Sequence, residues 1–140
     1  RTAIADNPRL DVRHIAGRSP KAVIFDRHSL VDESNCSIFA HAIHICDDRP
    51  LADILHSLYT DEGISSLLVE GGPGLLSEFI STGLWDEACV EVSAQCLGTR
   101  GCAPAPHLTE SCFEGCRQAS DSANCVNLYS HIDAERVKNI

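Results

Sequence analysis

Residues 68 to 79, Leu-Val-Glu-Gly-Gly-Pro-Gly-Leu-Leu-Ser-Glu-Phe, set a carboxylate and a glycine cluster between an apolar run and a helical pattern. Glycine lets backbone come close to a ligand. A helix that starts directly after Gly71-Gly72-Pro73-Gly74 turns its unpaired amides and positive dipole end outward. Such a start is a seat for a phosphate. The spacing matches neither common nucleotide loop. Gly-x-Gly-x-x-Gly would need glycine where the chain has Ser77, and no lysine follows as a Walker loop requires. On spacing alone, a turn without a ligand stays open beside the phosphate seat. Glu70, just before the loop, has a carboxylate able to accept hydrogen bonds from a substrate's amide or amino edge, with a cap or surface acid as the plainer alternative.

A second group lies upstream. Asp6, Arg9 and Arg13 flank an Asn7-Pro8 step, and two arginines four residues apart are suited to forked, charge-assisted bonds to a phosphate. An exposed pair of arginines is equally compatible with a solvated surface. The histidines are scattered and form no Ser-His-Asp or Cys-His grouping, so nucleophilic catalysis has no support. Cys36, Cys46, Cys89, Cys96, Cys102, Cys112, Cys116 and Cys125 contain no Cys-x-x-Cys pair, and Cys46 and Cys89 lie in strand-like runs. They read as buried free thiols. Cys112 and Cys116 near His107 lack the second tight pair of a structural zinc site, so no metal is expected. The zinc deaminase signature, His-x-Glu with Pro-Cys-x-x-Cys, is absent from the string.

Acidic residues outnumber basic ones 20 to 11, for a formal net charge of -9, which argues against a nucleic-acid surface. No apolar run approaches the roughly 20 residues of a membrane span, and a soluble, cytoplasmic protein is expected. The 140 residues fit one domain. Arg1 opens in mid-pattern and there is no methionine, so the string reads as a fragment, or as one with residues dropped.

Asn-Pro pushes Asn7 away from the helical region and predicts a loop. Lys21 to Asp26 and Ile64 to Val69 read as buried parallel strands, and Ser37 to Cys46 as a weaker one. Leu51, Ile54, Leu55 and Leu58 mark one face of a helix that stops near Gly63, and Leu75, Leu76, Phe79 and Ile80 mark another that ends at Gly83. Trp85 reads as packing, and Asp86 and Glu87 as turn formers. Strands are expected over 87 to 97, 111 to 119 and 123 to 131. The order implies an α/β domain with an antiparallel finish.

Thr2-x-x-x-Asp6-Asn7-Pro8-x-Leu10-x-Val12-Arg13, the run Ala22 to Asp26, Val69 to Leu75, and Gly83 to Glu87 followed by Leu97-Gly98 stand in one order. This combination resembles the reductase domain of the bifunctional riboflavin-biosynthesis deaminase/reductase family. The resemblance covers residues 1 to about 105. It implies a dihydrofolate-reductase-like, three-layer α/β/α fold with a mixed central sheet. The family's N-terminal strand and helix, with a lysine that lines the substrate pocket, have no counterpart in the string. Ala94 stands where the family usually has proline.

The resemblance further implies NADPH as cofactor and reduction of the ribosyl group of 5-amino-6-(5-phosphoribosylamino)uracil to the ribityl form. Thr2, Asp6, Arg27 and the run Gly71, Gly72, Pro73, Gly74, Leu75, Leu76, Ser77 and Glu78 become expected cofactor contacts, with Arg27 suited to the 2′-phosphate. Arg9, Leu10, Arg13 and Glu70 become expected substrate contacts, and Glu70 and Asp6 candidates to deliver a proton. A homodimer is implied, as is fusion to a zinc deaminase domain outside this chain. The alternatives are a stand-alone dihydrofolate-reductase-like oxidoreductase with another substrate, and a non-catalytic nucleotide-binding domain.

Overall fold

The computed structural model describes residues 2–95, 98, 104–109, 113–120 and 124–131. The chain divides into two compact units, Arg1–Leu68 and Val69–Ile140.

In the first unit, helix α1 (Thr2–Asp6) precedes strand β1 (Val23–Phe25), a 3₁₀ turn (Phe39–His41), strand β2 (Ile43–Ile45) and helix α2 (Leu51–Thr60). β1 and β2 pair in parallel, Val23 with Ile43 and Phe25 with Ile45. Both faces of the pair are covered, as side-chain alternation on a parallel sheet demands. Ile24 packs on one side with Val31, Cys36, Ala3 and Ile4, so α1 and the segment after β1 cover that face. Val23, Phe25, Ile43 and Ile45 pack with Ile54 and Leu58 of α2 on the other. Ile54 has no exposed surface. Burial of such a side chain contributes about 1.5–3 kcal/mol. The expected helical face of Leu51, Ile54 and Leu58 is the buried one.

Asp26 directly follows β1 and is itself buried. Its N–H donates to the Ile45 carbonyl at 2.8 Å, and its Oδ2 accepts the Val31 N–H at 2.7 Å. A buried carboxyl group needs such a partner, and the Val31 N–H that supplies it closes the turn after the strand.

The second unit holds helix α3 (Pro73–Thr82) and strands β3 (Glu87–Ser93), β4 (Phe113–Ser120) and β5 (Asn124–His131). The strands form an antiparallel sheet in the order β3-β5-β4, with a register irregularity between Glu114 and Cys116. Gly83 ends α3 at φ 68, and its N–H and that of Leu84 return to carbonyls of the last helical turn. Only glycine takes that conformation without strain. Trp85 lies against His131 with ring centroids 4.6 Å apart, which bears out its reading as packing, although its buried indole N–H has no partner.

Three expectations need correction. Ile64 to Val69 is not a strand: only Ile64 joins the core, and Leu68 is 82% exposed. A buried strand needs a ladder partner, and no described strand supplies one. Residues 37 to 42 form the 3₁₀ turn and its approach, so the strand expected over Ser37 to Cys46 shrinks to β2. Among the described cysteines, all free, Cys36 is buried but Cys46 and Cys89 are exposed. Cys96, Cys102 and Cys112 lie outside the described residues, as does the end of the strand expected over 87 to 97.

Candidate active site

The residues singled out by sequence divide between the two units, with Thr2, Asp6, Arg9, Leu10, Arg13 and Arg27 in the first and Glu70 to Glu78 in the second.

Thr2 opens α1 and Asp6 closes it, with Asp6 exposed to solvent. The Asn7 N–H donates to the Ala3 carbonyl at 3.0 Å, after which the chain turns sharply, with Asn7 at φ 41 and Leu10 at φ 47. Asparagine tolerates the left-handed region, but for leucine that conformation costs about 1–3 kcal/mol unless its surroundings impose it. Asn7 Oδ1 accepts the Ser37 N–H at 2.8 Å, which ties this loop to the approach of the 3₁₀ turn.

Between these segments lies a cleft of about 380 Å³, lined by Arg9, Leu10, Asp11, Ser19, Lys21, His41 and neighbours. Arg13 Nε donates to Asp11 Oδ1 at 2.7 Å, and Arg9 Nε stands 3.9 Å from the other oxygen of the same carboxylate. The hydrogen bond from Arg13, more than its charge, holds the Asp11 carboxyl below its usual range. Asp11 was not singled out by sequence, although an acid two residues from each arginine is a readable signal. Ser19 Oγ accepts the Val12 N–H at 3.3 Å and so keeps its own hydrogen to donate.

Arg27 follows β1 at the carboxyl edge of the parallel pair, where ligands gather in open α/β sheets. Its guanidinium is 3.9 Å from Asp48. Arg49 on the same edge is committed: it forks onto Asp47 with two 3.0 Å bonds and donates to Ser57 Oγ at 2.9 Å. That fork lowers the Asp47 carboxyl.

In the second unit the helix starts at Pro73, two residues earlier than a start directly after Gly74. Gly72 is the N-cap and Pro73 the first helical residue, where its missing N–H costs nothing. The first intrahelical bond runs from the Leu76 N–H to the Gly72 carbonyl at 3.2 Å. The amides of Gly72, Gly74 and Leu75 therefore have no intrahelical partner. Neither a capping side chain nor an acid in the first turn compensates this end of α3. A Cβ on Gly74 would meet nothing within 4 Å, so the backbone there is open to a close ligand. Gly71 has a different reason to be glycine: a Cβ would lie 2.7 Å from Leu75 Cδ2 and 3.1 Å from Leu75 Cβ. The donor set of Gly72, Gly74 and Leu75 thus suits an anionic phosphate, with Ser77 exposed and Leu76 half-buried one turn in. Glu70 is exposed in irregular chain two residues before the N-cap, and does not end a strand as expected.

Residues 1–109 match the family model described as the RibD C-terminal domain. The chain belongs to this family. A relative in it, the riboflavin biosynthesis protein RibD of Corynebacterium ammoniagenes, is 32% identical over 89 residues, which is 61% of this chain and 26% of that protein. The fold is that of the RibD reductase domain. Acinetobacter baumannii RibD superposes with a TM-score of 0.73 at 22% identity over 94% of this chain and 45% of that one. A Thermotoga maritima diaminohydroxyphosphoribosylaminopyrimidine deaminase/5-amino-6-(5-phosphoribosylamino)uracil reductase gives 0.66 at 22% identity over 94% and 43%. The chain therefore spans less than half the length of the RibD proteins it matches. Among the described residues no helix is long and apolar enough to cross a membrane, and no group of three or more His, Cys, Asp or Glu could hold a metal.

Proposed function

We propose that this chain is the NADPH-dependent reductase module of riboflavin biosynthesis, acting on 5-amino-6-(5-phosphoribosylamino)uracil. The observation that carries it is the uncompensated start of α3, with Gly72, Gly74 and Leu75 amides free of helical partners, in a chain of the RibD C-terminal family.

NADPH, when bound, supplies the hydride that adds to the ribosyl carbon attached to nitrogen. The chain's own work is to hold and to protonate. The α3 amides seat the pyrophosphate, and Arg27, near the start of the carboxyl edge, is suited to the 2′-phosphate. Thr2 and Asp6 contact the same cofactor. Arg9 and Arg13 hold the substrate's phosphate, with Leu10 as a further substrate contact, and anchoring the phosphate limits the poses open to the ribosyl carbon. As the ring carbon–oxygen bond opens, the ring oxygen must take a proton, and Glu70 or Asp6 delivers it through water. The zinc deaminase activity would belong to another domain of the whole protein, a homodimer in the cytoplasm.

Calorimetry with NADPH tests the cofactor half, and the kinetics of Glu70→Gln test the proton: an unchanged kcat/KM would remove Glu70 from that role.

A further inference from the structure

Asn7 stands where two structural demands meet. Its backbone lies in the left-handed region at φ 41, three residues before Leu10 does the same at φ 47. Its side-chain oxygen accepts the Ser37 N–H at 2.8 Å, from a residue thirty positions away. Arg9, Leu10 and Asp11 line one side of the cleft of about 380 Å³, and Ser37, Ile38 and His41 line another. Asn7 is thus joined to one wall through the chain, two residues before Arg9, and to the other through its amide. Leucine does not hold a left-handed backbone unaided, so something must fix the loop that carries the arginines. The Ser37 bond is a fixed point of that kind.

We propose that Asn7 is a positioning residue for substrate binding: by clamping the Arg9–Arg13 loop to Ser37 it sets the width of the cleft beside Arg9 and presents the arginines to the substrate's phosphate. This rests on the substrate assignment given above. Glycine at 7 accepts the same backbone and lacks the acceptor, whereas aspartate accepts the backbone and keeps it. The two substitutions therefore separate the bond from the turn.

The test measures steady-state kinetics of NADPH oxidation with 5-amino-6-(5-phosphoribosylamino)uracil for the wild-type chain, Asn7→Gly and Asn7→Asp. Calorimetry with NADPH and with ribose 5-phosphate runs alongside, at an ionic strength of about 0.15 M to screen the added charge. Loss of one such hydrogen bond predicts a KM for Asn7→Gly raised roughly three- to tenfold, with kcat and NADPH affinity unchanged. Ribose 5-phosphate binding weakens by the same factor, and Asn7→Asp recovers most of both. A wild-type KM in Asn7→Gly, or an Asn7→Asp as impaired as Asn7→Gly, overturns the positioning role while the reductase assignment stands. A wild-type chain that neither turns over nor binds ribose 5-phosphate overturns the substrate assignment and this inference with it.

Discussion

The arginine loop at residues 7 to 13 and the glycine loop at 70 to 75 both suit an anion, and they achieve it by opposite means. The glycine loop offers backbone: a proline at the first helical position, amides with no helical partner, and an open Cα at Gly74. The arginine loop offers side chains, and these need holding. Asp11 lies between Arg9 and Arg13, Asn7 reaches Ser37, and two non-glycine residues adopt positive φ. A backbone seat depends on local chain geometry, whereas a side-chain seat depends on what the rest of its unit packs beneath it.

The largest effect should come from breaking that support. Ile24 lies under α1 with Ala3 and Ile4, immediately before the arginine loop. Ile24→Ala should cost about 2–5 kcal/mol in urea unfolding, since a large buried side chain leaves a cavity. Leu68→Ala, at an exposed position, should stay within about 0.5 kcal/mol. Equal losses at the two positions would mean that Leu68 is buried in solution.

The glycines sharpen the other side of the comparison. Gly71→Ala forces a methyl against Leu75 and should cost about 1–3 kcal/mol, weakening NADPH binding as the loop shifts. Gly74→Ala meets no atom, so stability should hold or rise by up to roughly 1 kcal/mol. Its methyl nevertheless occupies the space where a phosphate would approach, and loss of one charge-assisted bond predicts NADPH affinity down about tenfold. Stability and affinity would then move in opposite directions. Wild-type NADPH affinity in Gly74→Ala would show that the cofactor does not approach this backbone.

The smallest effect is a matter of protons. Asp11, held by the hydrogen bond from Arg13, titrates below its ordinary 3.8 in the folded chain. Its contribution to stability is thus complete above 3.8 and is lost as pH falls through the lower folded value. Between about pH 5 and 8 the pair should leave no pH dependence at all. Carboxyl-carbon NMR should place the Asp11 midpoint below 3.8, and a midpoint at or above it would mean the arginines are unpaired in solution.

The same contrast explains what the sequence made legible. α2 and α3 were readable because their apolar spacing and the stops at Gly63 and Gly83 are local signals. The Asn7–Ser37 bond was not, because no local pattern reports a partner thirty residues away. α1 escaped notice because five residues before an Asn-Pro step carry no helical period. Ile64 to Val69 misled for the converse reason: a largely apolar segment with Ile64 and Val69 at its ends states a preference for a strand, and a strand exists only when a neighbour completes its ladder. For the glycine loop, the local pattern announced a helix start, but not that a Cβ on Gly71 would collide with Leu75, because that clash depends on how the first helical turn folds back.

The central claim meets its most direct test in one assay, the oxidation of NADPH by this chain in the presence of 5-amino-6-(5-phosphoribosylamino)uracil. The account predicts one NADPH consumed for each ribitylamino product formed. Tight NADPH binding with no substrate-dependent oxidation would contradict it.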